Sequence, residues 1–360
     1  MSSEARPVRV LVVGCGNMGR SHAVSYHKSP GFEIVGLVSR GAESREELNR
    51  SLGGKLDLFG DYGDALGKTR PDAVCISTYP DTHVDYALQA LQAGAHVFLE
   101  KPIALTVDDA IRVVAAARAS SKKLVIGYIL HHHPSWTKFV EIARELGKPL
   151  VMRMNLNQQS HGKTWYTHKQ LMQSMSPIVD CGVHYVDMMC RMTQSLPTQV
   201  SAIGARLSDE LPEGMYNYGQ LQVRFEDGSI GWYEAGWGPM MSQEAFFIKD
   251  VIGPRGCASI VGVEGKVGSS DSVDGHSLTN RIRHHRAATH ADGSWKEPDV
   301  LLDTTDEPDH QGLCDREQAF FLQAIREDMD LREHLDNAVN SLRIVLAADE
   351  SVHTGKTVVL

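Results

Sequence analysis

Short apolar runs rich in β-branched residues alternate with helix-like segments through the first third of the chain. Residues 8–13, 33–38, 72–78, 96–99 and 124–128 read as strands, and 81–93 and 107–119 as helices between them. The strands are continuous apolar runs, as expected where both faces are covered. This alternation predicts a parallel sheet wrapped by crossover helices. Beyond about residue 128 the pattern changes to longer segments of period two, at 151–159, 199–207, 218–225 and 229–235, the last two joined by Glu226-Asp227-Gly228. These predict antiparallel sheet. Residues 265–295, rich in Gly, Ser, Asp and His, read as surface loop with a strand or two, and two helices at 309–328 and 334–353 close the chain.

Composition narrows the class. The chain has 360 residues, 42% of them hydrophobic, and a formal charge of −9, the profile of a globular protein of two or three domains at about 150 residues each. An acidic chain repels nucleic-acid backbones, and its one dense basic run is Arg281, Arg283, His284, His285 and Arg286; no nucleic-acid partner is expected. Cys15, Cys75, Cys181, Cys190, Cys257 and Cys314 show no Cys-x-x-Cys pair, which argues against a disulfide framework or a zinc ribbon. Residues 1–9 carry charges and Pro7 where a signal peptide needs an apolar core, and no apolar stretch approaches about 18 residues. The expected location is the cytoplasm, with no membrane partner.

The first chemical motif is Gly14-Cys15-Gly16-Asn17-Met18-Gly19, directly after strand 8–13 and opening a helix. In that setting Gly14 permits a tight turn, Gly16 leaves the main chain open to a pyrophosphate, and Gly19 allows close helix packing. The helix N–H groups would face the phosphates. An acidic residue binding the ribose 2′-hydroxyl of NAD is expected at the end of the second strand, but the sequence there is Val38-Ser39-Arg40-Gly41. Arg40 and Ser39 suit a 2′-phosphate, so NADP(H) is favoured over NAD(H); the alternative is that both are solvated turn residues. Thr78, Pro80, His83, Glu100 and Lys101 follow strand C-terminal ends, the edge where ligands sit in open α/β sheets, and Pro102 restricts the backbone of Lys101.

These motifs, together with Thr78-Tyr79-Pro80-Asp81-Thr82-His83, the segment ending Glu100-Lys101-Pro102, and Asp180-Cys181-Gly182-Val183-His184-Tyr185-Val186-Asp187, resemble the glucose-fructose oxidoreductase, inositol dehydrogenase and MocA family. The resemblance runs from residue 8 to residue 190. It implies an α/β fold with an N-terminal doubly wound Rossmann domain, 1–128, and a C-terminal α+β domain, 129–360, with an open, mainly antiparallel sheet. That sheet is often used for oligomerisation in the family, so a homo-oligomer, dimer or tetramer, is expected, supported by Trp232, Tyr233 and Trp237 read as outer positions.

On one helix Asp180, His184 and Asp187 would share a face. Carried over from the resemblance, His184 is the acid/base, Lys101 its partner, and Asp180 a ligand of substrate or of His184. A metal at the Asp/His pair lacks an evident third ligand, and none is expected. His131 or His133 of the His131-His132-His133-Pro134 run enters the substrate site by this reading, the alternative being a solvated hinge. Asn157 and Trp165, in a stretch with Asn155, Gln158, His161 and Tyr166, suit a polyhydroxylated ligand. The expected function is NAD(P)-dependent hydride transfer to or from a secondary alcohol or ketone of a sugar, sugar derivative or cyclitol. The alternative is a non-catalytic sensor of dinucleotide or sugar on the same fold.

Overall fold

The computed structural model describes residues 6–242, 248–261, 279, 281–304 and 307–360. The chain divides into two compact units, Met1–Ile129 with Gln311–Val339, and Leu130–His310 with Asn340–Leu360.

The first unit alternates strand and helix: β1 (Val8–Val13), α1 (Asn17–Lys28), β2 (Phe32–Val38), α2 (Ala42–Ser51), β3 (Leu58–Phe59), α3 (Tyr62–Thr69), β4 (Ala73–Ile76), α4 (His83–Gln92), β5 (His96–Glu100), α5 (Val107–Ser120) and β6 (Leu124–Gly127). Its six strands are parallel in the order β3-β2-β1-β4-β5-β6, a doubly wound sheet whose order reverses beside β1. Every side chain of β4 and β6 is buried, which is why these strands read as unbroken apolar runs. Each fully buried Val, Leu or Ile contributes about 1.5–3 kcal/mol. The two-residue β3 was not expected from the sequence, since it is too short to carry a period.

The second unit contains α6 (Pro134–Glu145), β7 (Val151–Gln159), α7 (Gly162–Leu171), α8 (Pro177–Asp180), α9 (Gly182–Thr193), β8 (Pro197–Ala205), β9 (Tyr218–Phe225), β10 (Ile230–Gly238), β11 (Lys249–Gly253), β12 (Gly256–Val261), β13 (Arg281–Arg286), β14 (Val300–Asp303) and β15 (Val358–Val359). They form a nine-stranded sheet in the order β14-β13-β12-β11-β7-β10-β9-β8-β15. All pairings are antiparallel except β7 with β10. The loop expected at 265–295 falls partly outside the described residues; the part that is described contains β13. Its basic side chains are matched by acids, Arg283 Nε to Asp299 at 2.6 Å and Arg286 to Glu297 at 2.8 Å.

Two long helices close the chain, α10 (His310–Arg326) and α11 (Arg332–Thr354). A single division at 128/129 would give both to the second domain. In the structure 311–339 belongs with the first unit, because α10 lays Gln318 against Tyr26 of α1 and Phe321 against Phe32 and Phe98. The expectation that Tyr233 and Trp237 face outward is corrected as well. Both are buried, Tyr233 stacked on Tyr185 and Trp237 on His168, and only Trp232 is partly exposed. No helix among the described residues is long and apolar enough to cross a membrane.

Candidate functional site

In the first unit two of the three motif glycines answer steric needs of the chain itself, and the third lies beneath open space. Gly14 has φ +97°, and a Cβ there would lie 2.3 Å from the main-chain oxygen of Ser77. A Cβ on Gly19 would lie 1.8 Å from the oxygen of Gly14, so α1 crosses the turn at main-chain contact. Over Gly16 a Cβ would meet nothing within 4 Å. That opening sits at the start of α1, where Gly16 caps the helix without a side-chain hydrogen bond and the first turn carries no acid. The N–H groups of Asn17, Met18 and Gly19 lack intrahelical acceptors by geometry, and the cradle suits a pyrophosphate.

At the end of β2, Ser39 Oγ lies 3.1 Å from Ser44 Oγ, Arg45 donates to the Ser39 carbonyl at 2.7 Å, and Arg40 is exposed. Glu47 pairs with Arg20 at 2.9 Å. Sequence reading missed Arg45, which lies on α2 rather than in the strand-end tetrapeptide. Burial pushes the Cys15 thiol up to about 11 against the opposing pull of Arg45 and Arg20, so both guanidiniums are felt at the glycine turn.

Further along the same sheet edge, Thr78 Oγ1 meets Thr82 Oγ1 at 2.7 Å, and Pro80 begins a 3-10 turn, Pro80–Thr82. Two residues expected to border the crevice are instead struts behind it. His83 is buried, Nδ1 2.8 Å from the Pro102 oxygen and Nε2 3.1 Å from the Thr78 oxygen, and burial lowers its pKa. Glu100 is also buried; its Oε1 lies 2.6 Å from His22 Nε2, and its Oε2 accepts from the Lys101 N–H at 3.2 Å. Space for that carboxylate comes from Gly127, where a Cβ would lie 3.2 Å from it. Lys101 itself is partly exposed, and its bond to Pro102 is cis.

His22, Cys314 and Glu317 bring ligand-type atoms within 4.8 Å of one another. Both ring nitrogens of His22 are nonetheless engaged, by Glu100 and by Gln318 Nε2 at 3.0 Å, so the cluster reads as a hydrogen-bonded network.

In the second unit, Ser176 caps α8 by accepting from Val179 N at 3.2 Å while donating to Asp349 at 2.7 Å. Tyr216 Oη is 3.0 Å from Ser176 Oγ and also bonds Asp349. Burial raises the Asp349 pKa. The expected single helix through Asp180, His184 and Asp187 is interrupted at Cys181: Asp180 ends α8, and α9 begins at Gly182, whose hydrogen lies against the Tyr233 ring. Asp180 and His184 stay partly exposed, whereas Asp187 is fully buried and bonds His131. His131 is partly exposed, with one ring nitrogen on Asp187, and His133 is buried 3.5 Å from Glu307.

Asn157 and Gln158, expected to belong to one ligand-facing set, take opposite faces of the sheet. Along β7 the period of two sends Asn157 to the sheet face with Glu234, which it bonds. Gln158 takes the opposite face, where its Oε1 accepts from Trp237 Nε1 at 2.7 Å and lies 3.8 Å from Cys181 Sγ. Gln158, not Asn157, therefore backs the turn between Asp180 and His184. Trp165 is buried, its Nε1 donating to Glu210 at 3.0 Å beneath Lys169, so its indole supports α7. Sequence reading also passed over Lys249, fully buried with Nζ 5.5 Å from the Tyr185 ring centre; burial brings its pKa down to about 7.

Comparisons with known proteins agree with this architecture. Residues 8–128 match the oxidoreductase family profile with an NAD-binding Rossmann fold, and 142–267 match the GFO/IDH/MocA C-terminal domain. Among curated proteins, inositol 2-dehydrogenase 3 of Saccharopolyspora erythraea is 32% identical over 148 residues, 40% of this chain and 43% of that protein. Inositol 2-dehydrogenase of Agrobacterium fabrum is 30% identical over 40% of this chain and 44% of its own length. The chain thus matches less than half the length of these relatives. Among solved structures, an oxidoreductase from Agrobacterium radiobacter in complex with NAD+, L-tartaric acid and magnesium superposes with a TM-score of 0.78 at 14% identity, covering 98% of both chains. Apo scyllo-inositol dehydrogenase from Lactobacillus casei gives 0.74 at 19%, again over 98% of both. At these identities the likeness concerns the fold.

Proposed function

The chain belongs to the GFO/IDH/MocA oxidoreductase family with its NAD-binding Rossmann fold, and from that premise we propose that it is a dehydrogenase exchanging hydride between a nicotinamide dinucleotide and a secondary alcohol or ketone of a cyclitol, sugar or sugar derivative. The observation that carries this reading is the open space over Gly16 at the start of α1, on the same strand edge as Lys101. The inositol dehydrogenases among its relatives support a polyhydroxylated substrate. The cofactor, when bound, supplies the hydride acceptor or donor at its nicotinamide. As the carbinol C–H bond breaks, the His184 imidazole takes the hydroxyl proton and the Lys101 ammonium stabilises the charge growing on the oxygen. Asp180 orients the imidazole or holds a neighbouring hydroxyl.

Arg40, Ser39 and Arg45, with no carboxylate at the end of β2, support NADP(H) over NAD(H). Ile230, Val151 and Ile252 stand in register across β10, β7 and β11, the two isoleucines exposed and Val151 partly so, which supports a homo-oligomer, dimer or tetramer, through this sheet. No disulfide joins the six cysteines, consistent with a cytoplasmic protein. The test is a panel of cyclitols, aldoses and diols offered with NADP+ and NAD+ and followed at 340 nm. At least one polyol should be oxidised. A protein that binds dinucleotide, passes hydride to no member of the panel and is indifferent to Lys101→Ala would be a sensor instead.

A further inference from the structure

Behind Glu100 the first unit buries a chain of polar side chains contributed by three elements distant in sequence. Tyr26 of α1 donates its hydroxyl to Gln318 Oε1 at 2.6 Å. With its Oε1 on that hydroxyl, Gln318 places its Nε2 3.0 Å from His22 Nδ1. A nitrogen that accepts from an amide carries no proton, which leaves the imidazole hydrogen on Nε2. There it meets Glu100 Oε1 at 2.6 Å, and the other oxygen of Glu100 receives the Lys101 N–H at 3.2 Å. The His22 ring is fully buried and packs edge-on against Phe98, with ring centres 4.7 Å apart. Glu317 closes the flank, its Oε2 4.0 Å from His22 Nδ1.

We propose that Gln318 and His22 form a positioning relay for Lys101, in which α10 selects the His22 tautomer and so holds Glu100 as the carboxylate on which the main chain of Lys101 is anchored. The inference rests on the reading of Lys101 as the residue that acts on the substrate oxygen. Its physical content is the direction of each hydrogen bond. Reversing one bond anywhere in the chain places two acceptors or two donors face to face, and in a dry interior such a clash has no water to relieve it.

Three variants of the full-length protein test this: Gln318→Leu, the isosteric Gln318→Glu, and Lys101→Ala. In protein labelled with 15N-histidine, the His22 signals, assigned by their loss in His22→Phe, should show a single Nε2–H tautomer in the wild type. In Gln318→Leu they should show a mixture, and in Gln318→Glu a shift toward Nδ1–H. Turnover, measured below the thermal midpoint of each protein, should fall about tenfold in kcat for both Gln318 variants, while the Kd for dinucleotide changes less than twofold. An unchanged tautomer, or an unchanged kcat with an altered tautomer, overturns the relay. If instead Lys101→Ala turns over at the wild-type rate, the reading of Lys101 fails and the relay fails with it as a catalytic device. A large loss in Lys101→Ala with wild-type kcat in both Gln318 variants would refute the relay alone.

Discussion

Alanine at Gly16 and alanine at Gly19 should separate ligand binding from folding, although the two positions lie in one six-residue motif. Gly16 has φ −78° and ψ −163°, a conformation open to any residue, and the space above it is empty to 4 Å. Gly16→Ala loses part of the glycine preference at a helix N-cap, of order 0.5 kcal/mol, and gains about 0.4–1 kcal/mol from a stiffer unfolded chain. The two nearly cancel, so the thermal midpoint should move by no more than about 2 °C. The new methyl would occupy the place where a phosphate reaches the main chain, and a tenfold to hundredfold loss of dinucleotide affinity corresponds to about 1.4–2.7 kcal/mol. At Gly19 the added Cβ falls 1.8 Å from the Gly14 oxygen and 2.8 Å from its carbon. No side-chain rotation relieves contact with a main chain, so α1 must shift, at a cost of about 1–3 kcal/mol and roughly 2–4 °C of midpoint per kcal/mol. Thermal melts and a fluorescence titration with reduced dinucleotide read the two effects independently. A Gly16→Ala protein that melts well below wild type yet binds dinucleotide normally would show that the space above Gly16 is not where the dinucleotide sits.

Lys101→Ala and His184→Ala should each lower kcat by about 10²- to 10⁴-fold, the usual contribution of one proton-transferring group, with dinucleotide affinity within twofold of wild type by the same titration. Glu317 is buried beside Glu100, and burial together with that carboxylate raises its pKa well above the ordinary range; His22, Cys314, Cys75 and Tyr26 are the other titratable groups around it. A raised folded-state pKa gives stability that is complete below the ordinary carboxyl pKa and is lost as pH rises toward the folded value. Glu317→Gln should therefore melt like wild type near pH 4 and above it near pH 8, and equal shifts at both pH values would count against the assignment. Burial holds the His131 ring neutral, so Asp187→Ala removes a hydrogen-bond partner rather than an ion pair and should cost about 1–3 kcal/mol in denaturant unfolding. A change under 1 kcal/mol would show that the pair is not held in the interior.

The parallel sheet was readable because strands covered on both faces need unbroken apolar runs, and the glycine turn because Gly14 and Gly19 answer steric demands at the spacing that a strand-to-helix turn sets. Period two alone did not resolve β7: it places neighbours on opposite faces without saying which face meets α8 and α9, so Asn157 and Gln158 were grouped as one candidate set although only Gln158 lies beside Cys181. The strands β11 and β14 are short, and β12, although its burial alternates, is built from Gly256-Cys257-Ala258-Ser259-Ile260-Val261, whose polarity does not. The break at Cys181 escaped because its backbone stays near helical, φ −89° and ψ −38°, and no residue type announces it. Glu317 and Gln318 were invisible for a different reason. Their partners on α1 lie nearly 300 positions away, at a sequence separation of 296 for Gln318 and His22, and local pattern cannot see a helix return to an earlier unit. His83 and Glu100 were placed at the correct sheet edge but given the wrong orientation, since a motif position does not reveal whether a side chain points into the crevice or behind it.

The most direct test of the account is a fluorescence titration of the purified protein with NADPH and NADH side by side, repeated on Arg40→Ala. Saturable binding of both is expected, tighter for NADPH, with the NADPH preference lost and NADH binding kept in the variant. Equal or better binding of NADH would contradict the cofactor preference drawn from Ser39, Arg40 and Arg45, and binding of neither would contradict the dehydrogenase reading as a whole.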